Sequence, residues 1–193
     1  MKILDVFELA IPEVKVIRFA RFPDNRGYFS EQYRFSDFET GDAVPFMRGV
    51  RFLQANESYS RAGTVRGLHF QWNPYMGKLV RTIRGHMIDV ALDVRKGSPT
   101  YGKIVAHDMP VQGDEAYAEW IWLPPGFAHG FQTLTDDVEL LYCHSAPFNA
   151  AFEAGLNAAD PRLGIDWPLP ITEISARDSR HPMLNEQFAG VQL

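Results

Sequence analysis

Apolar and polar residues alternate in short runs along most of this chain, and a two-residue period is typical of β-strands. The runs cover residues 14–22, 50–58, 64–72, 77–84, 86–95, 101–108, 118–123, 129–134 and 137–145. Turn-forming residues separate them, as in SRAG, NPYMG, RKGSP, VQGDE, PPGFAHG and TDD. Many short strands at near-regular spacing predict an all-β chain folded as a sandwich or a jelly-roll barrel.

Helical signals are few and short. The segment FSDFE, residues 35–39, fits a capping box with Ser36 as the N-cap and Glu39 three positions later, and it predicts a short helix. In the C-terminal third we expect only short helices or irregular coil. Because no repeat, low-complexity tract or linker divides the sequence, we expect residues 1–193 to form a single domain.

Polar residues fall on faces of three predicted strands that are otherwise largely apolar. In VRFLQANES, for example, Val50 and Phe52 share a face with two amides, so this face turns polar along its length. If these faces point into the barrel, five polar side chains line one cavity: Gln54, Asn56, His69, Gln71 and Tyr142. Taken singly, such a residue can be a hydrogen-bonded structural group, but several together need many partners, and a polar ligand supplies them all.

Composition and charge exclude several classes of protein. Hydrophobic residues make up 46% of the chain and charged residues 22%, which excludes a disordered chain. The net charge of −5 argues against a nucleic-acid or anionic-membrane surface, although it allows a local basic pocket. The single cysteine, Cys143, cannot form an intrachain disulfide, and its apolar surroundings predict a buried, inert thiol. With no signal peptide and no apolar run long enough to span a bilayer, we expect a cytoplasmic protein.

The motifs of several kinds of catalysis are missing from the sequence. The histidines are scattered and include no His-x-His pair, so we expect no metal site. There is no Gly-x-Ser-x-Gly elbow for a nucleophilic serine and no glycine-rich phosphate loop. Metal-free acid–base chemistry remains. It needs a base, a weaker acid and a cation that holds a developing oxyanion, and His69, Tyr142 and Lys78 fit these roles.

Nine segments, in sequence order, resemble a known enzyme family. They are DNRGYFSE (24–31), QANES (54–58), VRGLHFQ (65–71), GKLVR (77–81), DVALDVRKGSPTYG (89–102), PPGFAHGF (124–131), ELLY (139–142), DPRLGIDWP (160–168) and ISARD (174–178). Across nearly its whole length the chain thus resembles the dTDP-4-dehydrorhamnose 3,5-epimerases, enzymes of the nucleotide-sugar pathway to dTDP-L-rhamnose. The resemblance implies a cupin-like jelly roll with short peripheral helices, and a cofactor-independent epimerase of a nucleoside-diphosphate 4-keto-6-deoxyhexose.

The resemblance also implies roles for individual residues. His69 would be the base that removes a proton beside the C4 ketone, and Asp178 would orient it and stabilise the imidazolium. Tyr142 would donate a proton from the opposite face, and Lys78 would stabilise the enolate at the C4 oxygen. The residues expected to contact the substrate are Arg26, Glu31, Gln54, Asn56, Arg66, Lys78, His129, Glu153 and Arg177. No cofactor or metal is implied, and the expected assembly is a homodimer with exchanged N-terminal strands.

Gly67 resolves one conflict with strand alternation. Arg66 and His69 are three residues apart, so a regular strand would point them to opposite faces. A bulge at Gly67 would turn Arg66 toward the same site, where its guanidinium can bind phosphate.

Three positions depart from the family pattern. Phe148 replaces a second tyrosine, Ala150 replaces the proline of an Asn-Pro pair, and Ala55 replaces an aspartate. They leave open which nucleotide and sugar are bound and whether C3, C5 or both are epimerised. Two readings from other classes also remain: a non-catalytic sugar-nucleotide-binding jelly roll and a metal-dependent cupin.

Overall fold

The computed structural model describes residues 1–111, 116–185 and 188–193, which contain fourteen β-strands and one α-helix. The strands are β1 Ile3–Glu8, β2 Lys15–Ala20, β3 Phe22–Asp24, β4 Gly27–Phe29, β5 Gln54–Ser60, β6 Thr64–Gln71, β7 Lys78–Arg84, β8 His86–Asp93, β9 Ile104–Pro110, β10 Tyr117–Leu123, β11 Phe127–Thr133, β12 Val138–His144, β13 Glu153–Gly155 and β14 Glu173–Ile174. Helix α1 is Phe35–Thr40, and short 3₁₀ turns lie at Pro45–Met47, Ala150–Phe152, Pro161–Leu163 and Asp178–Arg180. None of these helices has the length and apolar character needed to cross a membrane.

Two antiparallel sheets contain most of the strands. The first sheet has the order β1-β2-β10-β7-β12-β5. The second has the order β13-β6-β11-β8-β9, and β14 runs parallel to β6. Strands distant in sequence thus lie side by side, as in jelly rolls, and the predicted all-β jelly-roll class is confirmed. A separate hairpin of β3 and β4 is exposed along its length.

Apolar side chains cover both faces of each sheet. Between the sheets lies a core that includes Val80, Ile121, Phe131 and Leu140. A second cluster packs the outer face of the first sheet against α1, and a third packs the outer face of the second sheet against C-terminal coil. Strand β10 contains the nearly apolar segment EWIWL because both of its faces are buried. Its tryptophans pack in the second cluster, and Ile121 packs in the central core.

The structure corrects two sequence-based expectations. Strand β5 begins only at Gln54, and the preceding Val50 and Phe52 pack in the second cluster instead of continuing the face of the amides. The capping box at Ser36 is also wrong, since α1 begins at Phe35 and its N-cap residue makes no side-chain capping bond. Packing of the buried Phe38 places this helix. Strands β1, β4, β13 and β14 were not predicted, and most of the VQGDE turn lies outside the described residues.

Candidate active site

A cavity of about 320 Å³ opens between the two sheets, where the apolar core gives way to polar side chains. Its apolar wall includes Val80, Phe131 and Leu140, which also belong to the central core. The five polar residues expected from strand alternation all line it: Gln54, Asn56, His69, Gln71 and Tyr142. The core of the sandwich therefore forms the floor of a polar pocket.

Strand pairing in the first sheet arranges one wall in rows. His144 on β12 lies opposite Gln54 on β5 and Lys78 on β7. Two residues earlier, Tyr142 lies opposite Asn56 and Val80. Residues paired in this way have neighbouring side chains. The predicted acid, the predicted cation and an additional histidine therefore share one wall.

A bulge shapes the facing wall. His69 on β6 pairs with His129 on β11, but the next pair is Arg66 with Phe131, so β6 contains one extra residue. Gly67 lies in this bulge at φ +114°, and a Cβ there would come within 2.6 Å of the Gly130 Cα and of the His129 carbonyl oxygen. Only glycine fits both the conformation and the space. The expected bulge is confirmed, and both Arg66 and His69 line the cavity.

His69 and Asp178 form a hydrogen-bonded pair. Asp178 begins a 3₁₀ turn after β14, and its Oδ1 lies 2.8 Å from His69 Nε2. Its other oxygen accepts a 3.2 Å bond from the Gly67 N–H. Burial opposes ionisation of this carboxyl, but bonds from His69, Gly67 and Ser175 outweigh it and hold the pKa of Asp178 at about 2. The carboxylate is therefore charged and fixes the imidazole, leaving Nδ1 as the nitrogen that can take a proton.

Lys78 is a buried cation at the start of β7. Its Nζ donates a 3.0 Å hydrogen bond to the main-chain oxygen of His69. Burial lowers the pKa of Lys78 to about 8, although the negative charges of Glu153 and Asp89 favour the protonated form. At neutral pH the side chain is mostly protonated, so the cavity contains a fixed positive charge next to the histidine.

Two further groups keep defined protonation states by burial. Burial raises the pKa of Tyr142 above its ordinary value, with a small opposing effect of Arg66, so the phenol keeps its proton at neutral pH. His129 is buried and lies 2.8 Å, Nε2 to Oδ2, from Asp89. Burial lowers the pKa of His129 even though Asp89 favours the charged imidazole.

The mouth of the cavity combines two arginines with a loop. Arg66 donates 3.1 Å bonds to Ser60 and to the main chain, and Arg177 is ion-paired with Glu153. Gln54 and Gln71 accept bonds of 2.8 and 2.7 Å from the main-chain N–H groups of Phe148 and Asn149. These two glutamines therefore hold the loop after β12, so each has a structural hydrogen-bonding role as well as a place on the cavity wall.

Two predicted substrate contacts are not brought to this cavity. Arg26 lies on the exposed β3–β4 hairpin and pairs with Asp24, and Glu31 pairs with Arg34. The other predicted site residues all line it. Sequence reasoning did not assign a role to several lining residues: Phe70, Met76, Val80, Phe131, Leu140, His144, Phe148 and Ser175. Of these, His144 had a signal, because alternation places it on the same face as Tyr142.

One cluster of described residues has the side chains needed to bind a metal ion. The ligand atoms of His69, Asp178 and His181 lie within 4.8 Å of one another. The His181 and His69 rings meet edge to face with centroids 5.4 Å apart. A metal here would occupy the atoms that hold His69 to Asp178, so metal binding and proton transfer would compete for the same pair.

Comparison with known proteins identifies the family of this chain. The family model described as dTDP-4-dehydrorhamnose 3,5-epimerase matches residues 8–186. A dTDP-4-dehydrorhamnose 3,5-epimerase of Sinorhizobium fredii is 47% identical over 92% of this chain and 88% of its own length. A dTDP-6-deoxy-D-glucose-3,5-epimerase from Legionella pneumophila, solved with dTDP-4-keto-L-rhamnose, superposes with a TM-score of 0.85 at 31% identity, over 96% of this chain and 97% of that one. A 3'-monoepimerase from Streptomyces bikiniensis, solved with dTDP-quinovose, gives a TM-score of 0.80 at 30% identity over 92% of this chain and 86% of that one. The chain thus belongs to the dTDP-4-dehydrorhamnose 3,5-epimerase family.

Proposed function

We propose that this protein is an isomerase that inverts C3 and C5 of dTDP-4-dehydro-6-deoxy-D-glucose, a step toward dTDP-L-rhamnose. One observation carries the proposal: His69 and Tyr142 line the same cavity from facing sheets, with the Lys78 cation in the same wall as Tyr142. Family membership supports the reaction and the substrate class.

Proton removal is assigned to His69. A proton beside a ketone is weakly acidic, so its removal needs a base and a charge that stabilises the enolate. Nδ1 of His69 takes the proton, and the charged Asp178 stabilises the imidazolium that forms. The Lys78 ammonium faces the C4 oxygen, where negative charge develops. These groups complete the step with the protein's own side chains.

Proton return is assigned to Tyr142. Inversion requires that a carbon lose its proton on one face and regain one on the other. A phenol whose pKa is raised by burial stays protonated at neutral pH and gives its proton to the strongly basic enolate carbon. Two unlike residues on opposite walls therefore match the stereochemistry of the reaction.

The nucleotide portion is assigned to the mouth of the cavity. Arg66 and Arg177 present guanidinium groups there, and this planar cation binds phosphate oxygens in pairs. Asn56, His129 and Glu153 offer further polar contacts to the sugar nucleotide. We include a cytoplasmic location in the proposal, since Cys143 is a free thiol.

We also propose a homodimer in which the β3–β4 hairpin crosses to the partner. The hairpin exposes Phe22, Tyr28 and Phe29, which a partner would bury, and it carries Arg26 away from this chain's own cavity. Arg26, and Glu31 just beyond it, would then contact substrate in the partner's site. By contrast, β1 pairs with β2 and β2 with β10 of the same chain, so the hairpin is the N-terminal strand pair that fits an exchange.

Subunit mixing tests the shared site. We expect Arg26→Ala and His69→Ala each to be inactive alone. A mixed dimer would have one site with both residues intact, so random mixing should restore about a quarter of the wild-type activity. Mixtures that stay inactive, or a monomer in light scattering, would rule out the shared site without affecting the proposed reaction.

The central experiment is proton NMR of dTDP-4-keto-6-deoxyglucose with the enzyme in deuterated water. Deuterium at both C3 and C5 is the expected result. Exchange at one carbon would replace the proposal with a C3-only or C5-only epimerase. Binding that protects against heat without any exchange would indicate a non-catalytic sugar-nucleotide-binding protein, and activity lost to a chelator together with stoichiometric bound metal would indicate a metal-dependent cupin.

A further inference from the structure

We infer that His144 is a further substrate-contacting residue of this epimerase, whose neutral imidazole donates a hydrogen bond to the C4 oxygen beside Lys78. The inference rests on the proposed function. His144 is 6% exposed and lines the cavity. Neither of its ring nitrogens has a hydrogen-bond partner among the residues that the structure describes. Both nitrogens are thus buried without a protein partner, in a side chain that lines the cavity.

The position of His144 fixes which part of the ligand it meets. It lies directly opposite Lys78 across the β7–β12 pair, and its ring centroid is 5.3 Å from that of Tyr142. Lys78 is assigned to the C4 oxygen and Tyr142 to the neighbouring carbons. A side chain next to both groups is therefore assigned to the ketone end of the hexose.

Protonation suits His144 to this contact. Burial lowers the pKa of His144 to about 4, helped by the positive charge of Lys78 and by His129. At neutral pH the ring is therefore uncharged, with one N–H donor and one acceptor nitrogen. The donor can share the developing charge on the C4 oxygen with Lys78, and the acceptor can take a hydroxyl of the same sugar. An uncharged donor adds no second cation to the cavity.

Energetics favour a binding role over a structural one. A buried polar atom without a partner is energetically costly, and both ring nitrogens of His144 lack one among the described residues. A residue selected only for packing would be apolar here, like Leu140 on the same face of β12. A ligand that supplies both partners would offset this cost.

Replacement by leucine tests this directly. For His144→Leu we expect deuterium exchange at C3 and C5 to fall by about 100-fold, the size typical for loss of an oxyanion donor. The dissociation constant of dTDP alone should stay within about threefold of wild type, because the proposal assigns the nucleotide to Arg66 and Arg177. The melting temperature should be unchanged or higher, since two unpaired polar atoms are removed. His86→Leu, at the partly exposed His86–Asp108 pair outside the cavity, is the matched control and should exchange normally.

The amide variants distinguish hydrogen bonding from packing. His144→Asn and His144→Gln place an N–H near the positions of the two ring nitrogens, so one of them should exchange at least about tenfold faster than His144→Leu. Wild-type exchange in His144→Leu would overturn the inference. So would a lower melting temperature with neither amide restoring exchange, because that pattern indicates a structural histidine. If the wild-type protein itself shows no exchange, the proposed epimerase function is contradicted.

Discussion

His69 and Asp178 are separated by 109 residues in sequence and lie 2.8 Å apart, Nε2 to Oδ1, in the folded protein. The second oxygen of Asp178 accepts a bond from the Gly67 N–H, two residues before His69. The carboxylate therefore holds both the imidazole and the bulge that aims it. Because Nε2 is bonded to Asp178, the geometry assigns proton removal to Nδ1.

Replacing His69 with alanine should abolish deuterium incorporation at C3 and C5, by at least about 1000-fold, because no other assigned group can take the first proton. The fold should persist, since this side chain sits on the cavity wall and the strand bonds remain. Proton NMR in deuterated water measures the exchange, and circular dichroism checks the fold. His86→Ala removes a histidine from a comparable His–carboxylate pair outside the cavity and should exchange like the wild type. Unchanged exchange in His69→Ala would remove His69 from the mechanism.

Replacing Asp178 with asparagine should lower kcat by about 100-fold or more, because the imidazolium loses its stabilising charge. It should also lower stability at neutral pH. Asp178 has a folded pKa of about 2, below its ordinary 3.8, so its ionised form stabilises the fold by about 2 kcal/mol above pH 4. That contribution is lost as pH falls from about 4 to about 2, so urea midpoints of variant and wild type should converge there.

Asp93 supplies the matched control for Asp178. Bonds from Arg95, Ser98 and Thr100 overcome the opposing effect of burial and also hold the pKa of Asp93 at about 2, but this carboxylate does not line the cavity. Asp93→Asn should therefore be less stable than the wild type above about pH 4, and this difference should disappear over the same acidic window, while the folded protein retains its exchange rate. Equal loss of exchange in both variants would show that the effect at Asp178 is only structural.

Strand periodicity accounts for how much of the site could be predicted. His69, Gln54 and Tyr142 lie on regular strands, so a two-residue period was enough to place them on one cavity. Arg66 also followed, once Gly67 was allowed a bulge. Asp178 and its neighbours lie in a 3₁₀ turn and coil, where no period relates sequence to direction, so only the family resemblance could name them.

The remaining errors have a common cause. Both faces of the first sheet are apolar, so the hydrophobic pattern could not tell which side Phe52 covers. Helix α1 is likewise placed by the burial of Phe38 and not by a capping side chain. Tertiary packing overrides local signals at these positions.

Replacing Tyr142 with phenylalanine should separate the two halves of the reaction. Without the phenolic proton the enolate is still formed by His69, so loss of the first proton should slow by less than about tenfold. Inversion should slow by about 100-fold or more, because return from the opposite face lacks its donor. Comparing loss of the substrate signal with gain of the product signal by NMR measures the two rates. Tyr101→Phe, whose hydroxyl donates to the main chain of Phe188, is the control. Equal loss of both rates would argue against the acid role.

Loss of the Lys78 charge should raise the stability of the protein and lower its activity. Its folded pKa of about 8 lies below the ordinary 10.5, so the unfolded chain binds more protons and wild-type stability should rise as pH increases from about 8 to 10.5. Activity should fall over the same rise, because the enolate loses its cation. Lys78→Met should therefore be more stable than wild type at pH 7, by about 1–3 kcal/mol, and at least about 100-fold slower in exchange. The exposed Lys103→Met should change neither property. Urea unfolding across pH 6–10 measures stability, and deuterium exchange over the same range measures activity. Wild-type exchange in Lys78→Met would show that the enolate is stabilised without this cation.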